Sequence, residues 1–186
     1  ALDLTSADPT VTLPQTASAL ADLAQAALEA ALAIARAEVG PDAERTRLAV
    51  IAMGKTGGCE LNYISDVDVI FVAEPAEGVP EDESTAVATD LATRLMRICS
   101  ASTPAGSLWQ VDPALRPEGK NGPLVRTVAS HRAYYERWAK TWEFQALLKA
   151  RPVAGDAELG DAYIAAIRPL IWTAADRDGF VDDVRS

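Results

Sequence analysis

The sequence predicts an α+β fold, a small mixed or antiparallel sheet with helices around it. Three observations carry that expectation. Two short apolar runs, 48–53 and 66–72, have the length and β-branched content of buried strands. Two longer stretches, 18–38 and 85–100, repeat their apolar residues at helical spacing. No internal repeat recurs at a fixed period, which excludes solenoids and propellers.

Taken in order, residues 1–16 are polar and turn-rich and read as a mobile lead-in. Within 18–38, Asp22, Glu29 and Arg36 recur every seven residues. That spacing places them on one solvent face and Leu20, Leu23, Ala27, Leu28, Ala31 and Ile34 mainly on the opposite one. Gly40-Pro41 ends this helix. Leu48-Ala49-Val50-Ile51-Ala52-Met53 forms the first strand, and Gly54, Gly57 and Gly58 punctuate the turn after it. Asp66-Val67-Asp68-Val69-Ile70-Phe71-Val72 forms the second. Residues 74–83, rich in acids and containing two prolines, read as an exposed loop. The 85–100 helix is anchored by Leu91, Leu95, Met96 and Ile98. A turn at Thr103-Pro104-Ala105-Gly106 leads into a third strand, 107–112. Beyond a loop with Gly and basic residues, 116–122, a short fourth strand is expected at 123–127. Ser130 caps a helix running to about 149, and a last helix covers about 157–172. Residues 1–45 are thus a helical lead-in, 46–155 the sheet domain, and 156–186 the start of a C-terminal helical region.

Composition narrows the function classes. Twenty-seven acidic residues against 17 basic ones give a net charge of -10. Such a chain is poorly suited to indiscriminate nucleic-acid binding, which needs a Lys or Arg for each phosphate. No apolar run approaches the roughly 18 residues that span a bilayer, so no membrane partner is expected. The first 15 residues carry Asp3, Asp8, Pro9 and Pro14 and do not resemble a signal peptide. Cys59 and Cys99 lie far apart, and His131 is the single histidine, which argues against a Cys/His zinc site. These features point to the cytoplasm.

The chemistry concentrates in Asp66 and Asp68. Two residues apart on a strand, their side chains leave the same face. Charges roughly 6–7 Å apart at an effective dielectric of about 20 repel by roughly 2–3 kcal/mol. A divalent cation removes that repulsion, and hard oxygen ligands suit Mg²⁺ or Mn²⁺. On their own, two solvent-facing carboxylates on an edge strand explain the pattern equally well. Three features favour the metal. Gly57-Gly58 precedes the pair and allows close approach of a phosphate. Ser65 adds a hydroxyl beside Asp66. Asp112 ends the third strand and supplies a further carboxylate, and three acids from two strands suit in-line displacement at phosphorus. As an isolated residue, Asp112 before Pro113 also reads as a turn former.

Gly57-Gly58, then Asp66-x-Asp68 after seven residues, resembles the signature of the nucleotidyltransferase superfamily with a DNA-polymerase-β-like palm. Three longer strings are more specific. They are Met53-Gly-Lys-Thr-Gly-Gly-Cys-Glu-Leu-Asn-Tyr-Ile-Ser-Asp-Val-Asp-Val-Ile-Phe71, Val111-Asp-Pro-Ala-Leu-Arg-Pro-Glu-Gly-Lys-Asn-Gly-Pro-Leu-Val-Arg126 and Trp142-Glu-Phe-Gln-Ala-Leu-Leu-Lys-Ala-Arg-Pro-Val-Ala-Gly-Asp156. All three resemble the bacterial glutamine synthetase adenylyltransferase/adenylyl-removing enzymes, closely over 48–156 and more loosely outside. Enzymes of that family carry two related catalytic halves. One transfers AMP from ATP to a tyrosine of glutamine synthetase, and the other removes it by phosphorolysis, releasing ADP. Glu60-Leu61-Asn62 is more similar to the removing, N-terminal half, since the transferring half usually has Gly at the position of Asn62. Departures are Thr56 and Cys59, where Leu and a Gly, Arg or Trp are more familiar, and Ala114, where the V-D-x-R-L-R-P form has Arg. The last puts one phosphate contact of the pattern in question but not the three acids.

The resemblance implies a nucleotidyltransferase-like palm and Mg-dependent removal of AMP from glutamine synthetase, in control of nitrogen assimilation. It implies Mg²⁺ or Mn²⁺ as cofactor, glutamine synthetase, phosphate and ADP or ATP as reaction partners, and a PII signal protein as regulator. Asp66, Asp68 and Asp112 become the metal-binding catalytic acids. Phosphate or nucleotide contact falls to Gly57, Gly58, Ser65, Arg116 and Arg151, with Lys55 and Lys149 beside them. Lys120 and Arg126 flank the same strings without an assigned role. Two alternatives stay open: ATP-dependent adenylylation, and a non-catalytic docking module that keeps the fold. Trp138 and Trp142, one helical turn apart, read as core residues before an adenine platform. Tyr134 and Tyr135 fit either role, His131 is not read as a catalytic base, and both cysteines read as inert. Phe180, Val181 and Val184 form a stripe with nothing later to pack against. The C-terminal helical region is therefore expected to be truncated, leaving a fragment that folds and binds metal but turns over poorly.

Overall fold

The computed structural model describes residues 5–104, 106–176, 180 and 183. Its centre is β1 (Thr46–Ala52), whose every residue but Arg47 is buried. On one side β1 pairs antiparallel with β2 (Val67–Pro75), Ala52 opposite Val69 and Thr46 opposite Pro75. On the other it pairs antiparallel with β5 (Arg151–Gly155), with an irregularity between Val50 and Ile51. Two short strands, β3 (Val111–Asp112) and β4 (Val125–Arg126), both run parallel to β2. The result is a small mixed sheet within an α+β, nucleotidyltransferase-like fold.

Strands covered on both faces read as continuous apolar runs rather than alternating ones. Leu48, Val50, Ala52, Val67, Val69 and Phe71 face α1 (Pro9–Val39) and α3 (Glu81–Ser100). Ala49, Ile51, Met53, Ile70 and Val72 face the other layer. That layer is built from α4 (Val128–Arg137), α5 (Thr141–Leu147) and α6 (Ala157–Ala175). Tyr135, Phe144, Leu159, Tyr163 and Ile167 fill it. Arg47 braces the α6 entry. Its Nε and Nη2 donate to the two Asp156 oxygens at 2.6 and 2.9 Å, while Asp156 Oδ1 accepts from Leu159 N–H at 2.8 Å.

Several elements differ from the sequence expectation. The lead-in is helical from Pro9: Asp8 Oδ1 accepts from Thr10 N–H at 3.0 Å and Pro9 opens the first turn. The buried stripe of α1 is Ala21, Ala24, Leu28, Ala31, Leu32 and Ala35, leaving Leu23 and Ile34 about half exposed. Small residues win that face because they let α1 approach Ala88, Leu91, Ala92 and Leu95 of α3 closely. By length and composition α1 is also apolar enough to cross a membrane, contrary to the reading of the sequence. The same alanines that raise its apolar character pack against protein here.

β2 extends to Pro75 and α3 starts at Glu81, so the loop between them is short. Glu81, Asp82 and Glu83 in the first turn of α3 suit its positive end. Only Val111 and Asp112 of the 107–112 segment join the sheet. The helix expected through 149 breaks after Arg137, and its N-cap is Thr127, whose hydroxyl accepts from Ser130 N–H at 3.2 Å. Trp138 ends α4 in a non-helical conformation and is 73% exposed, and Trp142 is 49% exposed, so neither is a core residue. Leu159, Tyr163 and Ile167 are buried on α6 as their spacing predicts. Of the tail stripe, Val181 and Val184 lie outside the described residues.

Candidate metal and phosphate site

Register at one end of the sheet gathers the acids. Val67 pairs with Val111 and Asp68 with Asp112 across the parallel β2–β3 ladder. In-register residues share a face, so the Asp68 and Asp112 side chains stand side by side on the face of Ile70 and Val72. Asp66 sits just outside β2 and is exposed. Asp68 is half-buried. Burial pushes its carboxyl above the ordinary range, the charges of Asp112 and Asp66 push the same way, and Lys55 opposes them. The turn after β1 lies directly over it: Gly54 has φ +51°, and a Cβ there would collide with the Asp68 carboxylate. Met53 N–H donates to Asp68 O at 2.9 Å and locks that proximity. Asp112 is oriented by Ala114 N–H, which donates to Oδ1 at 2.8 Å.

Among the described residues no three His, Cys, Asp or Glu side chains are close enough together to ligate one ion. Asp66, Asp68 and Asp112 therefore border one region without closing on a point. Their chemistry nonetheless fits a hard divalent cation, which favours carboxylate oxygens. Asp68 supplies the specific observation, a partly desolvated carboxylate opposed by two like charges.

The basic and small residues divide into two groups. Lys55 and Ser65 join the acids: Lys55 Nζ donates to Ser65 Oγ at 3.2 Å, and Ser65 Oγ donates to Asn62 Oδ1 at 2.7 Å. Arg116 lies beside Asp112, with its guanidinium turned to the loop, donating to Pro113 O at 2.9 Å and Gly122 O at 3.2 and 3.3 Å. Arg151 is placed elsewhere. Its partner in register is Ala52, on the face opposite Asp68, and it donates to Gln25 Oε1 at 2.7 Å and to Gly57 O and Thr56 O at 3.4 Å. Lys149 pairs with Glu60 at 2.6 Å. Gly57 is buried with its α-carbon against the Lys149 carbonyl, where a Cβ has no room, and Gly58 lies against the Lys149 side chain. Both glycines thus serve packing of α2 (Gly54–Gly57) on the segment before β5.

The profile of the glutamate-ammonia ligase adenylyltransferase family matches residues 3–166. The chain belongs to that family. Among its relatives, the bifunctional glutamine synthetase adenylyltransferase/adenylyl-removing enzyme of Streptomyces avermitilis is 65% identical over 95% of the chain. The proteins of the same name from Cutibacterium acnes and Mycobacterium tuberculosis are 55% identical over 99% and 53% over 100%. The chain spans 18–19% of the length of these relatives.

The departures from the family pattern acquire positions in the fold. Ala114 contributes to Asp112 through its backbone, so the side chain missing from the usual motif leaves that acid held. Thr56 is fully buried, and Cys59 takes a left-handed φ of +56° at the exit of α2. Residues to which the sequence reading gave no place in the site are Gly54, Asn62, Glu118 and Arg126. Gly54 had a signal, a glycine at a strand end ahead of paired acids. His131 is buried in the core beside Tyr135 and Tyr163, away from any reactive role.

Proposed function

We propose that this chain carries out metal-dependent removal of AMP from adenylyl-tyrosine of glutamine synthetase, with inorganic phosphate as acceptor and ADP as product. The observation that carries it is the Asp68–Asp112 pair in register on one face, with Asp66 beside them. Asp68 and Asp112, with Asp66 bordering the same region, would hold Mg²⁺ or Mn²⁺, which when bound would supply charge neutralisation and Lewis-acid stabilisation at the adenylyl phosphorus. The chain's own residues do the rest. Lys55 and Ser65 line the approach with a cation and a hydroxyl. Asp112 is held in one orientation by the Ala114 amide. A phosphate oxygen forms the new bond to phosphorus, the bond to the tyrosine oxygen breaks, and the phenol takes up a proton.

Asn62 supports the removing direction over adenylylation. Its Oδ1 accepts from both Ser65 Oγ and Ile64 N–H, at 2.7 and 3.2 Å, and so shapes the loop leading into Asp66. A glycine, the residue of the transferring half in the sequence pattern, lacks that acceptor. Incubation of adenylylated glutamine synthetase with the chain, Mg²⁺ and phosphate should release ADP, and Asp68→Asn should abolish it. ADP release undiminished in the double variant Asp66→Asn, Asp68→Asn overturns the mechanism. AMP transfer from ATP without ADP release assigns the opposite half-reaction. PII control and a cytoplasmic location extend the same proposal.

A further inference from the structure

A second charged cluster lies in the segment between β3 and β4. Arg126 pairs in register with Val72 and so projects on the Asp68 face. Its side chain is only 14% exposed. Nη1 donates to Ser130 Oγ at 3.2 Å, and the guanidinium lies 5.9 Å from the Tyr134 ring centroid. Nη2 is paired with the Glu118 carboxylate, whereas Nε is buried and has no partner among the described residues. The Nε–Nη2 edge of a guanidinium is a two-pronged fork for oxyanions. Arg47 uses that edge in full on Asp156. On Arg126 the same edge is half used.

Glu118 reaches Arg126 from a backbone with φ +63°, a left-handed conformation that few non-glycine residues adopt. Its side chain also sits against Gly122, where an added Cβ would meet Glu118 Cβ at 3.1 Å. Gly122 O in turn accepts from Arg116, the neighbour of Asp112. Arg116, Gly122, Glu118 and Arg126 are therefore one contiguous group at the edge of the acid site. It contains two guanidinium charges and one half-exposed carboxylate. Arg126 also disfavours the charge on Arg116, although burial of Arg116 is the larger effect.

We propose that Arg126 anchors a phosphate subsite and that the Glu118 carboxylate occupies it when no phosphate-bearing ligand is bound. A phosphate group brings more charge and more acceptor oxygens than Glu118, and it can engage Nε and Nη2 together. Its added negative charge also relieves the repulsion between Arg116 and Arg126. The idea deepens the phosphorolysis reading, because that reaction consumes phosphate next to Asp112. It nevertheless stands on the Arg126 fork and needs neither the metal nor turnover.

The test is metal-free binding by calorimetry, with chloride holding ionic strength constant. Inorganic phosphate and ADP are titrated separately into the wild-type chain, E118Q and R126K. Removing the competing carboxylate should tighten binding by roughly threefold to fivefold, the scale of a partly exposed ion pair. R126K keeps the charge and loses the fork, and should weaken binding roughly tenfold. Binding of both ligands assigns free phosphate as a source, while binding of ADP alone assigns a nucleotide phosphate. Equal affinities in wild type and E118Q, or no binding of either ligand, overturn the proposal. Should R126K fail to fold, the E118Q comparison decides alone. ADP release with Mg²⁺ is measured in parallel, so a failed subsite and a failed phosphorolysis reading give different patterns.

Discussion

His131 should make the fold acid-sensitive in a window where few carboxylates titrate. Its ring is fully buried, edge-on to Tyr163 at 5.2 Å and stacked on Tyr135 at 6.2 Å. Nδ1–H donates to Thr127 O at 3.1 Å. Burial, with Arg126 nearby, lowers its pKa from 6.5 to about 4. The unfolded chain then binds more protons than the folded one between those values, so stability falls as pH drops from about 6.5 to about 4. The gap is roughly two to three decades, or about 3 kcal/mol once both states are protonated. Some 2 kcal/mol of it is lost between pH 8 and pH 5 by the same relation. His131→Phe keeps a ring and removes the titration, and the Thr127 carbonyl still accepts from the His131-position amide, at 3.0 Å in the native chain. Urea unfolding at pH 8 and pH 5 measures the difference. The wild-type midpoint should fall by about 1 M more than that of the variant, for a slope of about 2 kcal/mol/M. Asp156, Glu38 and Asp8 are pulled below the usual carboxylate range by their hydrogen bonds and are common to both proteins. Equal midpoint losses in the two proteins would refute a buried neutral imidazole.

Asp68→Asn should raise the melting temperature of the metal-free chain, since it removes a desolvated charge flanked by Asp112 and Asp66; roughly 2–3 kcal/mol is the ceiling for one such repulsion. The same variant should abolish stabilisation by Mg²⁺ or Mn²⁺, and a lowered metal-free melting temperature would contradict the site. Arg151→Met should destabilise the fold by about 1–3 kcal/mol in urea titrations, because it frees Gln25 and two α2 carbonyls. Its phosphate dependence should stay wild-type, and a raised phosphate KM at unchanged stability would restore a direct phosphate contact. Gly57→Ala should cost about 1–3 kcal/mol or more, since the added methyl meets the Lys149 and Ala52 carbonyls; a neutral change in thermal unfolding would show that α2 yields. Asp156→Ala removes a helix cap and the partner of Arg47 together, and should cost about 1–3 kcal/mol by the same assay.

The central strands and the paired acids were legible because their signals are local. A buried two-faced strand writes itself as a continuous apolar run, and Asp66-x-Asp68 interrupts such a run with charge. β5 left no comparable trace. Arg151-Pro152-Val153-Ala154-Gly155 is short, contains Pro, lacks alternation, and owes its strand form to the free edge of β1. Missing β5 also hid the placement of Arg151, since the face of a side chain follows from register and not from proximity in sequence. The α1 face failed for a different reason. Ranking residues by apolar size favoured Leu23 and Ile34, whereas close helix approach favoured the alanines.

The six basic residues flanking the family strings show how register sorts charge by role. Arg151 is drawn to the far side of the sheet, where it clamps α1 and α2. Lys149, one segment earlier, is matched by Glu60. Lys55 and Arg116 remain with the acids, one bonded to Ser65 and the other folded into the loop beside Asp112. Arg126 reaches the same face only because β4 runs parallel to β2 and places it against Val72. Lys120, exposed on the short turn between them, carries no such constraint. A chain of net charge -10 thus keeps a few cations where Asp66, Asp68 and Asp112 would otherwise repel every phosphate that approached. On the proposed reading, the acids would attract the metal and the cations would admit the anion. Both sets depend on β2, whose antiparallel partner presents Gly54 to Asp68 while its parallel partners present Asp112 and Arg126. Shifting β2 by one residue would turn Asp68 to the α1 side and leave Arg126 facing a core without its acids. Occupation of the site and the register of the sheet are in that sense one constraint.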